Sequence, residues 1–415
     1  MQTNLADEFK HTPDGDAAEA ILRKCVHCGF CTATCPTYLL LGNELDGPRG
    51  RIYLMKQLLE GAAVTRSTQL HLDRCLSCRN CETACPSGVE YGRLLDIGRH
   101  LVEQRVERPR GEKAVRWLLK EGVTSPLFTP AMKLGQLVRP LLPAALKDKV
   151  PRSSSARARL WPTREHPRKV LLLLGCVQPA MRPNINSASA RVLDAAGLQT
   201  LVADGAGCCG AIRTHLGDID GGLADMRRNI DAWWPLVQGL TSQGQVEAIV
   251  MNASGCGASV KDYGHALRHD ADYAARAAKI SALTRDLSEL LGELVPLLQP
   301  KVREPEQRRL AWHAPCTLQH GQQLRGGVET QLTALGFDVR VAVTESHLCC
   351  GSAGSYSVLQ PELAYRLRER KLDRLQPLQP HAIVSANIGC IQHLQSGTAT
   401  PVRHWVEVLD EALGD

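Results

Sequence analysis

One run of cysteines constrains this chain more than any other feature, and it occurs twice. Cys25, Cys28, Cys31 and Cys35 are followed by Pro36, and Cys75, Cys78, Cys81 and Cys85 by Pro86, both spaced C-x2-C-x2-C-x3-C-P. At this spacing three sulfurs close around one face of an iron–sulfur cube while the fourth points elsewhere, to another centre. Structural zinc uses two C-x2-C pairs across a variable spacer and has no use for the third cysteine or the terminal Cys-Pro. Disulfides need an oxidising compartment. The opening sequence MQTNLADEFK has neither the basic flank nor the apolar stretch of a secretion signal. A reducing, cytoplasmic setting is expected, with the cysteines serving as metal ligands.

The doubled run resembles that of bacterial two-cluster ferredoxins. The resemblance implies one [4Fe–4S] centre held by Cys25, Cys28, Cys31 and Cys85, and a second held by Cys75, Cys78, Cys81 and Cys35. Around these runs the apolar spacing is helical. Residues 15–24 lead into the first run, and residues 50–60 carry Ile52, Leu54, Met55, Leu58 and Leu59 on a face suited to packing over a cluster. Residues 88–107 form a long helical pattern that ends before Pro109. Two shorter patterns follow at 112–120 and 131–138. Their apolar residues, with Trp117, Leu118, Leu127 and Phe128, are expected to pack on the ferredoxin-like core rather than dock a partner. This module is expected to occupy residues 1–146.

A length of 415 residues suggests two or three domains, and sixteen cysteines are too many for idle packing. The net charge of +6 gives only a slight pull toward acidic partners and no case for nucleic acid. Its distribution is more telling: residues 147–169 hold eight Lys or Arg against Asp148 and Glu165, an excess equal to that of the whole chain. With Pro151, Ser153, Ser154, Ser155 and Pro162, residues 147–168 read as a basic, solvated interdomain linker. Attraction to anionic lipid or to an acidic partner subunit is the alternative. The most apolar stretch, 134–146, is interrupted by Arg139, Pro140 and Pro143 and falls short of the roughly 20 residues of a membrane span, so at most a peripheral membrane contact is expected.

Beyond the linker the pattern changes. Buried-strand runs at 169–174, 198–203 and 248–251 alternate with helical stretches, one at 187–196 and another containing Trp233 and Trp234, which implies parallel sheet with right-handed crossovers. The whole arrangement then recurs. Cys176, the pair Cys208 and Cys209 before Gly210, and Cys256 follow three strands; Cys316, the pair Cys349 and Cys350 before Gly351, and Cys390 take the equivalent places. LDAAGLQTLVADGAGCCG answers LTALGFDVRVAVTESHLCCG, and EAIVMNASGC answers HAIVSANIGC. Two lobes related by pseudo-twofold symmetry are expected, at 169–300 and 301–415. In each, the cysteines fall just past the carboxyl ends of strands, where open parallel sheets gather ligands.

These copies resemble the cysteine-rich domain with paired CCG motifs found in heterodisulfide reductase and in iron–sulfur subunits of several flavin dehydrogenases. The resemblance covers residues 169–396. The fuller motif ends in C-x2-C, and here Ser259 and His393 stand where the last cysteine would be. Each lobe keeps four thiols, enough for a third [4Fe–4S] centre or a zinc site but short of the five associated with the disulfide-reducing cluster. The second copy is expected to hold the cluster, because His313, His347 and His393 lie near its cysteines as hydrogen-bond donors to sulfur. These three, with His215 and His320, are read as ligands or polar partners; a lone histidine is more often not a ligand, and only His393 sits at a motif position. The expected fold class is α+β and α/β: a mostly helical, two-cluster ferredoxin-like module followed by two pseudo-symmetric CCG lobes with parallel sheets.

Over residues 11–414 the chain resembles the iron–sulfur subunits of bacterial glycolate oxidase. GPRGRIYLMK, VMNASGCGASVKDYG and SANIGCIQHLQSG carry that resemblance. The iron–sulfur subunits of anaerobic glycerol-3-phosphate dehydrogenase and of lactate-utilisation complexes share the plan. The resemblance implies FAD-containing dehydrogenase subunits as partners, with electrons passing to a quinone or another acceptor. The residues reach the reaction class unaided: cubanes in series carry single electrons, and GAGCCG lacks the spacing and the acidic residue of a dinucleotide site. A thiol or disulfide oxidoreductase is the runner-up reading, and a zinc-bound interaction protein comes last.

Overall fold

The computed structural model describes residues 1–152, 158–303 and 309–414. The serine run at 153–155 and Arg157 of the expected linker lie outside them. Among the described residues no strand precedes residue 168. Helix α1 (Pro13–Lys24) starts where Thr12 accepts a hydrogen bond from the Gly15 amide. Pro13 stands in its first turn, and Asp14 and Asp16 at the start with Arg23 and Lys24 at the end complement the helix dipole. Helices α2 (Pro48–Leu59), α3 (Arg66–Asp73) and α4 (Tyr91–Arg105) complete the module. Leu22, Met55, Leu58, Leu72, Leu94 and Leu95 share one core with Cys25, Cys75 and Cys81, so the thiols are set by the same packing that holds the helices. Gly98 lets α4 approach α2 closely: a Cβ there would lie 2.6 Å from the Met55 sulfur.

Helices α5 (Arg110–Trp117) and α6 (Phe128–Leu137) correct one expectation. Trp117 and Leu118 are each 61% exposed and Leu127 is 73% exposed, so these residues do not pack on the ferredoxin-like core; Phe128 is half-buried. Amphipathic spacing announces an apolar face but not what covers it. Polar contacts hold this arm instead. Arg116 pairs with Asp73 at 2.9 Å, the Gln136 side chain donates to the Ala180 carbonyl, and Lys149 donates to the Ser357 carbonyl. The described part of the linker is likewise tied down, with Arg164 and His166 on Asp194 and Arg159 on Asp410.

The lobes follow the expected pattern. Strands β1 (Arg168–Leu172), β2 (Leu198–Leu201), β3 (Ala248–Met251) and β4 (Thr284–Asp286) form a parallel sheet in the order β2-β1-β3-β4. Strands β5 (Arg309–Trp312), β6 (Asp338–Val341), β7 (Ala382–Ser385) and β8 (Val402–His404) repeat it as β6-β5-β7-β8. The registers match: Val170 lies opposite Ala248, and Leu310 opposite Ala382. In the first lobe helices α7 (Asn184–Ala195), α8 (Ile219–Val237), α9 (Ser254–Lys261) and α10 (Leu287–Leu298) flank the sheet. Their counterparts are α11 (Gly327–Ala334), α12 (Pro361–Leu375), α13 (Ile388–Gln395) and α14 (Trp405–Leu413). Helix α7 packs on α14 and α10 on α11, so Val192, Leu291, Leu294, Leu332, Trp405 and Leu409 belong to one core spanning both lobes.

The lobes meet the helical module differently. The first does so through charge, with Arg213 on Glu121 at 2.6 Å and Arg93 on Asp262 at 3.6 Å. The second does so through an apolar cluster in which Leu76 joins Cys316, Cys349, Tyr356 and Leu363, with Cys78 packed against it.

Candidate metal centres

Two adjacent cavities open among the first eight cysteines. Cys25, Cys28, Cys31 and Cys85 line one, with Ile52 and Val89. Cys35, Cys75, Cys78 and Cys81 line the other, with Thr37 and Arg51. The second cavity thus takes three thiols from the second run and the last of the first, and the first takes three from the first run with Cys85, and Cys81 at its wall, from the second. Cys81, Pro48 and Tyr91 line both, so the cavities share a wall. The C-x2-C loops are shaped by left-handed residues at matching positions: His27 and Gly29 in the first, Ser77 and Arg79 in the second. Three of these four are not glycine, and each such residue costs about 1–2 kcal/mol that the surrounding fold must offset.

None of the sixteen cysteines forms a disulfide. Burial pushes the Cys31 thiol up to about 11, and it raises Cys78 and Cys81 well above the ordinary range. Such thiols ionise only when a metal takes the place of the proton. A set of four thiols without a carboxylate suits soft centres, iron–sulfur or zinc, and the iron–sulfur cube is the group whose spacing rule the two runs obey.

Hydrogen bonds to sulfur concentrate at the second cavity. The Thr37 hydroxyl lies 3.3 Å from Cys35 Sγ, the Tyr91 hydroxyl donates to Cys75 Sγ at 3.6 Å, and the Ser77 amide donates to the same sulfur at 3.4 Å. At the first cavity the Val89 amide donates to Cys85 Sγ at 3.5 Å. Arg51, 1% exposed, adds a cation at the second cavity. Burial opposes its charge, but Cys75, Tyr91, Cys35 and Asp46 more than offset that, and its ionisation is shifted up. Its guanidinium donates to the His71 carbonyl at 2.7 Å and to Thr37 Oγ1 at 3.1 Å, while Asp46 also pairs with His71 and Arg74. Sequence reading misses Arg51, Thr37 and Tyr91. The phrase GPRGRIYLMK places Arg51 on the otherwise apolar face of α2, which is the one available signal.

In each lobe the four thiols form a hydrogen-bonded series, Cys176–Cys208–Cys209–Cys256 and Cys316–Cys349–Cys350–Cys390. Cys176 and Cys316 are both raised well above the ordinary thiol range, by their hydrogen bonds to Cys208 and Cys349 and by burial. The glycine of each CCG is required: Gly210 and Gly351 have φ of 87° and 90°, and a Cβ would fall 2.7 Å from the Gly222 carbonyl and 2.4 Å from that of Ala364. All four thiols of the second lobe are buried, whereas Cys176 and Cys256 are half-buried.

The histidines sort differently from expectation. His393 does not join the thiols: its ring stacks on Tyr365 at 6.0 Å and its Nε2 bonds the Ala364 carbonyl, both on α12. His347 contributes its carbonyl, which accepts from Asn80 and bonds His320 Nε2. His320 Nδ1 meets Thr83 of the helical module at 3.1 Å. His215 is about half exposed and lies 3.8 Å from Asp96. His313 alone reaches the cysteines, its ligand nitrogen within 4.8 Å of the sulfurs of Cys350 and Cys390. Lys371, which sequence reading also misses, is 3% exposed near Cys316, Cys350 and Cys349, with Nζ donating to the carbonyls of Glu345 and Ser346.

Comparison with known proteins gives two family matches. Residues 21–89 match the model of a 4Fe-4S dicluster domain, and residues 170–261 and 310–395 each match that of a cysteine-rich domain. The chain is 52% identical to the glycolate oxidase iron-sulfur subunit of Escherichia coli (strain K12), over 100% of this chain and 99% of that protein. It is 31% identical to the probable glycolate oxidase iron-sulfur subunit of Bacillus subtilis (strain 168), over 99% and 97% respectively. A more distant relative is a subunit of the fumarate reductase (CoM/CoB) of Methanothermobacter marburgensis, 24% identical over 95% of this chain and 73% of that protein.

Proposed function

This chain belongs to the family of glycolate oxidase iron–sulfur subunits, and from that premise we propose that it carries electrons from glycolate, oxidised at a flavin on partner subunits, to a quinone. It is the iron–sulfur, electron-transfer component of an oxidoreductase. The observation that carries the reading is the pair of thiol-lined cavities with a common wall. When bound there, [4Fe–4S] centres supply one-electron steps, the complement of a flavin that takes two electrons at once and releases them singly.

The chain's own residues hold and tune these centres. We assign Cys25, Cys28, Cys31 and Cys85 to the first and Cys75, Cys78, Cys81 and Cys35 to the second. Tyr91 and the Ser77 amide donate to sulfur at the second, the Thr37 hydroxyl lies against Cys35 Sγ, and Arg51 balances its negative charge. Residues 1–146 are taken as a module able to hold both centres. Expressed alone without oxygen, it is expected to bind about eight irons; four or fewer in folded material would break the crossed assignment.

The partners follow from the chemistry. FAD-containing dehydrogenase subunits oxidise the 2-hydroxy acid, and the quinone lies in a bilayer. No described helix is long and apolar enough to cross a membrane. The arm at 110–152 carries nine Lys or Arg against three acidic residues, with Trp117, Leu127, Leu137 and Leu141 exposed, a combination suited to the surface of an anionic bilayer. Salt-sensitive cosedimentation with anionic but not neutral vesicles is expected. If vesicles of neither kind bind, the face belongs to a subunit contact instead. The functional test is reconstitution: the isolated chain leaves glycolate untouched with an artificial dye, and quinone-linked oxidation appears once the flavoprotein subunits are added. Dye reduction by the pure chain at the rate of the complex would overturn the reading.

A further inference from the structure

The two lobes have the same fold and four thiols each, yet the groups around the sulfurs differ at matching positions. Because Val170 and Leu310 share a register, His313 occupies in the second lobe the place of Leu173 in the first. By the same register Ser385 answers Met251. Counting from the carbonyls under Gly210 and Gly351, those of Gly222 and Ala364, Lys371 answers Asn229. The first lobe therefore builds this fold with two apolar residues and a neutral amide where the second buries an imidazole, a hydroxyl and an ammonium. Each of these polar groups is costly to bury without a use, and the first lobe shows that the fold does not require them.

The imidazole has a defined orientation. His313 is 2% exposed; its Nδ1 lies 3.0 Å from Ser385 Oγ, and its Nε2 is buried with no hydrogen-bond partner. A ring held through one nitrogen, with the other left without a hydrogen bond, is how metal-binding histidines are oriented. Asn387 Nδ2 donates to Cys390 Sγ at 3.7 Å and the Gly351 amide to Cys349 Sγ at 3.4 Å, further groups suited to sulfurs that carry charge.

We propose that the second lobe alone holds a thiophilic metal centre in which His313 Nε2 is a ligand beside Cys350 and Cys390, with Cys349 or Cys316 completing the set. His313, at the end of β5, takes the place of one of the lobe's four thiols in the ligand set. Lys371 offsets the charge of the thiolates. The donor set of sulfur and one imidazole suits iron in a cluster or a single zinc ion. Cys316 and Cys349 pack in the same apolar cluster as Leu76 and Cys78, so the centre adjoins the second ferredoxin-type cavity. The inference rests on the thiol chemistry of the chain and not on glycolate as substrate.

The test is metal and acid-labile sulfide analysis of the full chain purified without oxygen, with X-ray absorption at the iron and zinc edges. The wild type is expected to hold metal beyond the about eight irons of two cubanes. About four further irons with sulfide identify a cluster, and about one zinc identifies a single ion. His313→Ala is expected to lose that additional metal while the ferredoxin-type signals and the melting temperature of the helical module persist. His313→Cys is expected to retain it, with nitrogen scattering lost. Cys209→Ser, in the first lobe, is expected to leave it in place. Wild type with only the eight irons and no zinc, or His313→Ala with the additional metal and its edge spectrum unchanged, overturns the proposal. Loss of that metal in Cys209→Ser overturns the assignment to the second lobe. Should His313→Ala fail to fold, the nitrogen scattering of the wild type decides alone, its absence counting against His313.

Discussion

The first cluster cavity faces solvent, with Cys28, Val26 and Phe30 exposed at its rim. The second lies against the second lobe, on which two of its lining residues, Leu76 and Cys78, pack. Among the described residues the Val89 amide donates to sulfur at the first cavity, whereas the Tyr91 hydroxyl and the Ser77 amide donate to sulfur at the second, beside the Thr37 hydroxyl and a buried guanidinium. The same cysteine motif thus makes two different electrostatic environments. Its spacing selects the type of cluster, while the second layer of residues sets how readily that cluster accepts an electron. The cavity with the exposed rim is the natural point of exchange with a partner, and the one against the second lobe is the tuned station behind it.

Changes that remove a ligand have the largest effect. Cys78→Ser is expected to lose about four of eight irons and to abolish quinone-linked turnover of the complex. Because Cys78 packs at the contact with the second lobe, limited proteolysis between module and lobes is also expected to quicken. Cys28→Ser, at the exposed rim, is expected to lose iron without that quickening. Equal proteolysis in the two variants would show that the cavities are enclosed alike.

Arg51→Met comes next. It leaves Asp46 buried with fewer partners, at a cost of about 3 kcal/mol in denaturant unfolding. Removing the cation is expected to lower the potential of the second centre by roughly 50–100 mV, the scale of one charge at an effective dielectric constant near 20. Arg49→Met, at the first cavity, removes a cation that is 37% exposed and paired with Glu44, and is expected to change neither quantity appreciably. Equal potential shifts in the two variants would erase the electrostatic difference between the cavities.

Single hydrogen bonds should register less. Tyr91→Phe is expected to lower the second centre's potential by roughly 20–60 mV, the one-electron equivalent of a hydrogen bond worth about 1 kcal/mol. Phe30→Ser is the smallest structural change, with stability expected to stay within about 0.5 kcal/mol. It should still raise the concentration of flavoprotein needed for half-maximal electron transfer. An unchanged requirement would place the partner elsewhere.

Much of the fold is legible because it is local in sequence. The doubled cysteine spacing marks the helical module, and the repeated strand–cysteine phrases expose both sheets and their order of elements. Strands β4 and β8 are not legible: at three residues each, Thr284–Asp286 and Val402–His404 carry no periodicity. The exposed arm is misread because the spacing of Trp117 and Leu118 is the same whether a core, a partner or solvent lies opposite. His393 stands out by its motif position, yet its ring is drawn to Tyr365 and the Ala364 carbonyl. His313 and Ser385 are far apart in sequence and meet only through the parallel register of β5 and β7. Arg51 shows the same limit, since a charge on an apolar helix face gives no hint of the thiols it will face.

The most direct test of the account is to mix the oxidised chain, without oxygen, with its flavoprotein subunits and glycolate, and to follow the cluster absorption and the paramagnetic resonance of the reduced centres. The account predicts that glycolate alone leaves the chain oxidised, and that adding the flavoprotein bleaches the clusters and produces signals from two reduced [4Fe–4S] centres. Bleaching by glycolate with no flavoprotein present, or clusters that stay oxidised beside a reduced flavin, would contradict it.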